Sequence, residues 1–176
     1  MQDLSRLKRF STTLYWIALA VSVSLPILVL AYAAKGVGDT AWLLSFVPTL
    51  AEGQAVSRVQ AGLVAAVALV SVLPMIAALR AMARLFDRYR DGEVLTATNA
   101  ETILQIGRAL VLVAVFTVLV PTLTILILSW NSPQRQLSIG LDGSTLGFFL
   151  VAGLLTVIGW AMREAARVKA EHEAFV

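Results

Sequence analysis

Residues 79–108 read LRAMARLFDRYRDGEVLTATNAETILQIGR, a long charged stretch in the middle of a very apolar chain. On each side of it lies sequence that is typical of a pair of membrane helices. The stretch therefore predicts a loop at one membrane surface that joins two transmembrane hairpins. The arrangement of the rest of the chain follows from it.

The composition is that of a membrane protein. Of the 176 residues, 59% are hydrophobic and 14% are charged, whereas soluble domains are about 45–50% apolar and about 25% charged. The charges are also segregated and leave four uncharged windows, at residues 10–34, 59–79, 109–134 and 143–162. A helix needs about 20 residues to cross the hydrocarbon core, and each window is long enough.

The predicted fold is an all-α integral membrane protein with four transmembrane helices in two hairpins, forming one domain over residues 1–176. The spans are expected near residues 11–34, 59–86, 101–130 and 143–168, with a cytosolic loop at 87–100 and a helical extension that ends in a cytosolic tail at 169–176. The first apolar segment is longer than the roughly 7–15 residues of a signal-peptide core. It is therefore interpreted as a retained helix.

The orientation is predicted from the basic residues. Of the 14 lysines and arginines, all but Lys35, Arg58 and Arg135 lie in the amino terminus, the central stretch or the tail. Loops rich in lysine and arginine stay in the cytoplasm. We therefore expect a multi-pass protein of the bacterial inner membrane with both termini and the central loop in the cytoplasm.

Basic side chains of the central stretch form the predicted binding surface. Arginines that recur every four residues share one face of a helix, and this is the spacing of Arg80, Arg84 and Arg88. The full predicted set for lipid headgroups or a partner is Arg80, Arg84, Arg88, Arg90, Glu93 and Arg108. Two interpretations stay open: the arginines anchor the helices at the headgroups, or they bind an acidic cytosolic partner or anionic lipid.

Local signals predict where the helices of this stretch end and restart. Asp91 and Gly92 are expected to end the second span, since glycine adopts the left-handed conformation readily. Thr98 and Glu101 match a capping box that would restart the chain as the third helix. For Arg108, snorkelling to the headgroups and an ion pair with Glu101 or Asp91 are both considered.

Small residues and prolines mark further positions inside the spans. Small side chains four residues apart allow close helix contact, which predicts packing at Gly62, Ala66, Gly143 and Gly147. Proline tends to kink a helix but is tolerated in membrane helices, and the predicted kinks are at Pro26, Pro74 and Pro121. The apolar segment 41–50 is too short to span the membrane; it either lies in the interface or packs onto the helices.

The residues needed for most catalytic and metal chemistry are missing from the sequence. It has no cysteine and a single histidine, His172 in the tail, so no catalytic, cofactor or metal site is predicted and the chain is not expected to be an enzyme. No carboxylate falls within the four uncharged windows, which argues against proton-coupled transport. The basic residues flank apolar spans, so direct binding of nucleic acid is not expected.

Residues 86–108 resemble the signature of a bacterial membrane-protein family catalogued as domain of unknown function 2975. The matching positions are Gly92, Glu93, Thr96, Ile106 and Gly107, and the ending AARVKAEHEAFV is also similar to that of the family. The resemblance implies no biochemical activity. Members of this family are commonly encoded beside small helix-turn-helix regulators, which implies a membrane anchor for such a protein.

These observations give three hypotheses for function. The first is a non-enzymatic regulatory, sensor or anchoring protein that binds a cytosolic partner, such as a helix-turn-helix regulator, through residues 80–101 and the tail. The second is an accessory subunit of a larger membrane complex, respiratory or photosynthetic. A small-molecule channel or exporter is the weaker third, and a homo-oligomer is compatible with each.

Overall fold

A computed structural model describes residues 2–45, 56–92, 96–131 and 140–173. These residues contain five helices and no strand: α1 (Gln2–Gly38), α2 (Thr40–Leu44), α3 (Arg58–Asp91), α4 (Ala97–Leu128) and α5 (Gly143–Glu173). The four long helices are apolar and long enough to cross a membrane. The predicted all-α membrane fold is confirmed, and α5 continues without a break into the predicted helical extension.

The four long helices form an open row. α1 packs against α3, α3 against α4, and α4 against α5, while the described parts of α1 and α5 do not contact each other. Neighbouring helices run antiparallel, which gives two hairpins joined through α3 and α4. The helix ends lie on two sides of the row. We call one side the basic end; it contains the start of α1, the end of α3, the start of α4 and the end of α5. The other side is called the opposite end.

Buried apolar side chains concentrate near the two ends of the row. The larger cluster, towards the basic end, consists of Ala78, Ala81 and Leu85 from α3, Ile106, Ala109 and Leu110 from α4, and Ala152 from α5. At the opposite end Val64 and Leu128 form a smaller cluster. Large apolar side chains elsewhere face outward; Leu150, for example, is 75% exposed. Lipid tails are as apolar as leucine, so such faces suit a bilayer.

The helix ends of the central stretch confirm one prediction and correct another. Gly92 has φ 94°, and its N–H donates to the carbonyls of Arg88 and Tyr89, so α3 ends where predicted. The predicted capping box of Thr98 and Glu101 is wrong. The N-cap is Thr96, whose hydroxyl accepts from the backbone N–H of Asn99 at 3.2 Å. Thr96 is extended, with φ −117° and ψ 152°, so the helix starts there and leaves Thr98 within its first turn.

The prolines and the short apolar segment complete the fold. Pro26, Pro74 and Pro121 lie inside α1, α3 and α4, which continue as helix on both sides; their action as kinks stays a prediction. The first half of segment 41–50 lies in α2, which is capped by Asp39 through a 3.1 Å hydrogen bond from the N–H of Trp42. Residues 46–50 lie outside the described part of the chain.

Candidate binding surface at the basic end

Arg88 joins the end of α3 to the start of α4. Its Nη1 donates to the Thr102 hydroxyl at 2.8 Å, to the carbonyl oxygen of Thr98 at 3.2 Å and to the Asn99 side-chain oxygen at 3.4 Å. Asn99 is fully buried and Thr102 nearly so. A guanidinium presents several donors in a rigid fork, so one side chain links the end of α3 to three groups in the first two turns of α4. Arg88 therefore has a structural role inside the protein.

Arg90 joins α3 to α1. Its Nη2 lies 2.7 Å from the Asp87 carboxylate, and its guanidinium carbon lies 5.5 Å from the centre of the Tyr15 ring. A cation over an aromatic face is attracted by the ring quadrupole. Arg90 thus neutralises Asp87 and holds the amino-terminal part of α1 beside α3.

Two further ion pairs at this end involve α5. Arg163 lies 3.4 Å from Glu101 on α4, and Arg167 lies 3.0 Å from Glu164 one turn earlier. These pairs are largely exposed, and such pairs contribute roughly 0–1 kcal/mol. Glu101 therefore links α4 to α5 instead of capping α4.

The remaining charged residues of the predicted binding set differ in their surroundings. Arg108 is exposed on α4 and pairs with neither Glu101 nor Asp91, so the proposed ion pair is wrong and the exposed side chain is free to snorkel. Glu93 lies outside the described residues. Arg80 and Arg84 are exposed, and within the described part of the chain neither forms a hydrogen bond or an ion pair.

Arg80 and Arg84 line a groove between α1 and α3. It has a volume of about 570 Å³. The residues around it are Tyr15, Leu19, Ala77, Arg80, Ala83, Arg84 and Asp87. This α1–α3 groove brings two of the predicted binding residues together, whereas Arg88, Arg90 and Arg163 are occupied by contacts within the chain.

The close contacts between helices lie at other glycines than those predicted. A Cβ added at Gly62, Gly143 or Gly147 would meet no described atom of another helix within 4 Å, and Ala66 is exposed. These four positions make no close contact between helices within the described part of the chain. Close packing at them stays a prediction, and it would have to involve another molecule. Within the chain, the close contacts are made by Gly107 on α4 and Gly159 on α5.

At Gly107 and Gly159 the backbones of α4 and α5 touch. A Cβ at Gly107 would lie 2.6 Å from the backbone nitrogen of Thr156, and one at Gly159 would lie 2.5 Å from that of Leu104. Real side chains do not fit at such distances, so both positions require glycine. The sequence contains a signal for this contact, because Ala152, Thr156 and Gly159 are small residues on one face of α5.

At the opposite end, Gln60 on α3 holds the end of α4. Its Nε2 donates to the carbonyl oxygens of Ile127 at 2.9 Å and Leu128 at 3.4 Å. Its side-chain oxygen accepts from the N–H of Ser57 at 2.9 Å, which completes a capping box. Sequence reasoning missed Gln60, although a serine followed three residues later by glutamine is a recognised signal for a helix start.

The opposite end also contains an apolar cavity of about 380 Å³ between α1, α2 and α3. The rings of Tyr32 and Trp42 stack in its wall with centroids 5.7 Å apart, and Lys35 Nζ lies 4.6 Å from the centre of the Trp42 ring. Among all the described residues, no group of three His, Cys, Asp or Glu side chains lies close enough together to hold a metal ion.

Comparison with known proteins gives one match. The model of the family described as a protein of unknown function (DUF2975) matches residues 29–176. The chain belongs to the DUF2975 family. No curated protein and no solved structure matches it. The structure explains two glycines of the DUF2975-like stretch: Gly92 ends α3 in the left-handed conformation, and Gly107 lets α5 approach α4.

Proposed function

We propose that this DUF2975 protein is a non-enzymatic membrane protein that holds a cytosolic partner at the basic end of its helix row. The supporting observation is the length of α5. Leu104 of α4 touches Gly159 of α5, and in an antiparallel pair this register places the first residue of α4, Ala97, level with Ala166. Residues 167–173 of α5 therefore extend beyond α4 by about 10 Å, at 1.5 Å per residue.

The extension is suited to contact with a soluble protein. It carries Arg167, Lys169, Glu171 and Glu173, and charges of both signs favour specific, oriented association more than raw affinity. The partner proposed is a small helix-turn-helix regulator, the class implied by the sequence resemblance. The protein would then act as its membrane anchor or as a sensor that controls its release.

Purification from mild detergent tests this proposal. A chain ending at Ala166 should insert normally but lose the partner, and Arg167→Gln with Lys169→Gln should weaken co-purification by about tenfold, for roughly 1.4 kcal/mol. The matched control is Lys35→Gln with Arg58→Gln, which removes two charges from the opposite end. If the truncated chain retains the partner fully, the extension is not the docking surface.

An accessory subunit of a larger membrane complex is the second candidate, and the open row favours it. The outer faces of α1 and α5 are not covered by another described helix, and a neighbouring subunit could pack there. The same purification separates the two candidates: a soluble DNA-binding protein supports the anchor, and integral membrane subunits support the complex. An open row encloses no pore, so a channel would need several copies of the chain.

The orientation that this proposal requires is the one predicted from the basic residues, with both termini cytoplasmic in the inner membrane. A reporter fused after Val176 or inserted at Gly92 should be active in the cytoplasm, and one inserted at Gly38 or Ser138 should be active outside. A periplasmic reporter signal at Gly92 would place the basic end on the wrong side for a cytosolic partner and contradict the proposal.

A further inference from the structure

We propose that the α1–α3 groove is a binding site for one anionic phospholipid, whose phosphate is held by Arg80 and Arg84. The proposal concerns a different surface from the α5 extension and does not depend on the partner. It rests on the shape of the groove, the charge within it and its depth in the membrane.

The shape of the groove suits the glycerol region of a lipid. Ala77 and Ala83 on α3 are small, and together with Leu19 and Tyr15 on α1 they leave a space of about 570 Å³ between the two helices. Ala77 of α3 and Leu19 of α1 are the lining residues farthest from the basic end on their helices, and Arg80 and Arg84 lie closer to that end. This is the arrangement that receives an acyl chain at one end and a headgroup at the other, and basic pockets between membrane helices bind anionic headgroups.

The charge of the groove is positive despite the carboxylate of Asp87. Arg90 lies 2.7 Å from Asp87 and neutralises it, which leaves the guanidinium groups of Arg80 and Arg84 uncompensated. They lie four residues apart on one helix, about 6 Å along its axis, and can approach the same phosphate. Guanidinium groups bind phosphate through paired N–H donors, so two of them in one groove favour an anionic headgroup over a zwitterionic one.

The depth of the groove favours a lipid over a protein as the occupant. The uncharged segment 59–79 is about as long as the roughly 30 Å hydrocarbon core, and Arg80 follows it directly. Arg80 also precedes the end of α3 at Asp91 by about 16 Å of helix, at 1.5 Å per residue. An acidic protein docked on the end of the row would stand away from Arg80, whereas a lipid headgroup lies at this level.

Native mass spectrometry of the full-length protein in mild detergent tests the proposal with phosphatidylglycerol and phosphatidylcholine. The wild-type protein should bind phosphatidylglycerol preferentially. Arg80→Gln with Arg84→Gln should weaken that binding by about 30-fold, because each basic residue near the surface contributes roughly a factor of five. The control Arg163→Gln with Arg167→Gln removes two charges from the same end but outside the groove, and should change binding by less than about threefold, because both arginines are paired with carboxylates within the chain.

A second variant tests shape without changing charge. Ala77→Phe fills the groove while both arginines remain, so it should abolish the preference for phosphatidylglycerol; if the preference persists, the groove is not the site. Arg80→Lys with Arg84→Lys keeps both charges but not the paired guanidinium donors, so it should retain part of the preference.

Two competitors separate the possible sources of the anionic group. Neither inorganic phosphate nor a polyglutamate peptide should displace phosphatidylglycerol at millimolar concentration, because each lacks the acyl chain. Displacement by phosphate would show that the site takes a free anion, and displacement by the peptide would show that it takes an acidic protein. Either result, or equal loss of binding in the control variant, would overturn the proposal.

Discussion

The two ends of α4 are held by the same neighbour in different ways. At the basic end, Arg88 of α3 donates to groups in the first two turns of α4. At the opposite end, Gln60 of α3 donates to the last carbonyls of α4. Gln60 satisfies carbonyls that the end of a helix would otherwise leave unpaired, whereas Arg88 bonds the Thr98 carbonyl and the side chains of Asn99 and Thr102. We call Arg88 the charged clamp and Gln60 the neutral clamp. The charged clamp lies at the end with the buried Asn99, and the neutral clamp lies at the end with the small apolar cluster.

The packing around the two clamps also differs. At the basic end, alanines and glycines bring α3, α4 and α5 together until backbones touch. At the opposite end, a cavity of about 380 Å³ lies between α1, α2 and α3, and at the basic end the α1–α3 groove of about 570 Å³ lies between α1 and α3. Without a hydrophobic force between helices in lipid, close packing and hydrogen bonds hold them together. We therefore expect the contact of α3, α4 and α5 at the basic end to contribute most to the stability of the fold.

The largest effect is expected at Gly159. In Gly159→Leu the side chain would meet the backbone of Leu104 at 2.5 Å, so α4 and α5 must separate, at a cost of about 3 kcal/mol or more for overpacking without room to relax. Thermal unfolding in detergent, followed by circular dichroism, should show a much lower midpoint. Gly147→Leu is the matched control and should unfold like the wild type, because a Cβ added there has no described atom of another helix within 4 Å.

The next effect is expected at Arg88. Arg88→Met leaves the buried groups around Asn99 with fewer donors, which should destabilise the protein by about 1–3 kcal/mol. Arg84→Met removes the same charge from an exposed side chain one turn earlier and should change stability by less than about 0.5 kcal/mol. Equal losses in the two variants would mean that charge, and not the clamp, stabilises this end.

A smaller effect is expected at the neutral clamp. Gln60→Met removes the hydrogen bonds to Ile127 and Leu128 but keeps the length of the side chain, and should cost about 1 kcal/mol. Gln105→Met changes an exposed glutamine of α4 and serves as the control. A loss at Gln60 larger than that of Arg88→Met would reverse the expected order of the two ends.

The sequence alone predicted the four spans and the end of α3 at Gly92, because both depend on local composition. It was insufficient for contacts that depend on the register between helices. Gly159 looks like any other glycine of a membrane helix until Leu104 is placed against it. Arg88 and Arg84 share a face and a spacing, and only the fold shows that one is enclosed and the other is not. Thr96 and Thr98 are both plausible caps, and the extended backbone at Thr96 decides between them.

The smallest effect is a pH dependence at the start of α5. Hydrogen bonds from Thr145 and then from Ser144 lower the pKa of Asp142 to about 2, from 3.8. A lowered pKa means that the carboxylate stabilises the helix start above about pH 4 and that this contribution disappears as the pH falls through about 2.

The amide resonance of Thr145 reports this titration, because its N–H donates to Asp142 at 2.8 Å. Its chemical shift should change with a midpoint near pH 2. In Asp142→Asn the amide side chain can still cap the helix but does not titrate in this range, so the shift should stay constant. A wild-type midpoint at the ordinary value of an aspartate would show that the cap does not form in solution.

The open row has a consequence for how the protein is made. α1 packs on α3, α3 on α4 and α4 on α5, so the order of packing is the order of synthesis. Chains are synthesised from the amino terminus, and amino-terminal segments are available to pack first. Each long helix after α1 therefore enters the bilayer when its docking surface is already there, and α1 does not have to wait for the carboxyl-terminal helix to close a ring. Insertion can proceed one helix at a time, and every step produces a packed intermediate.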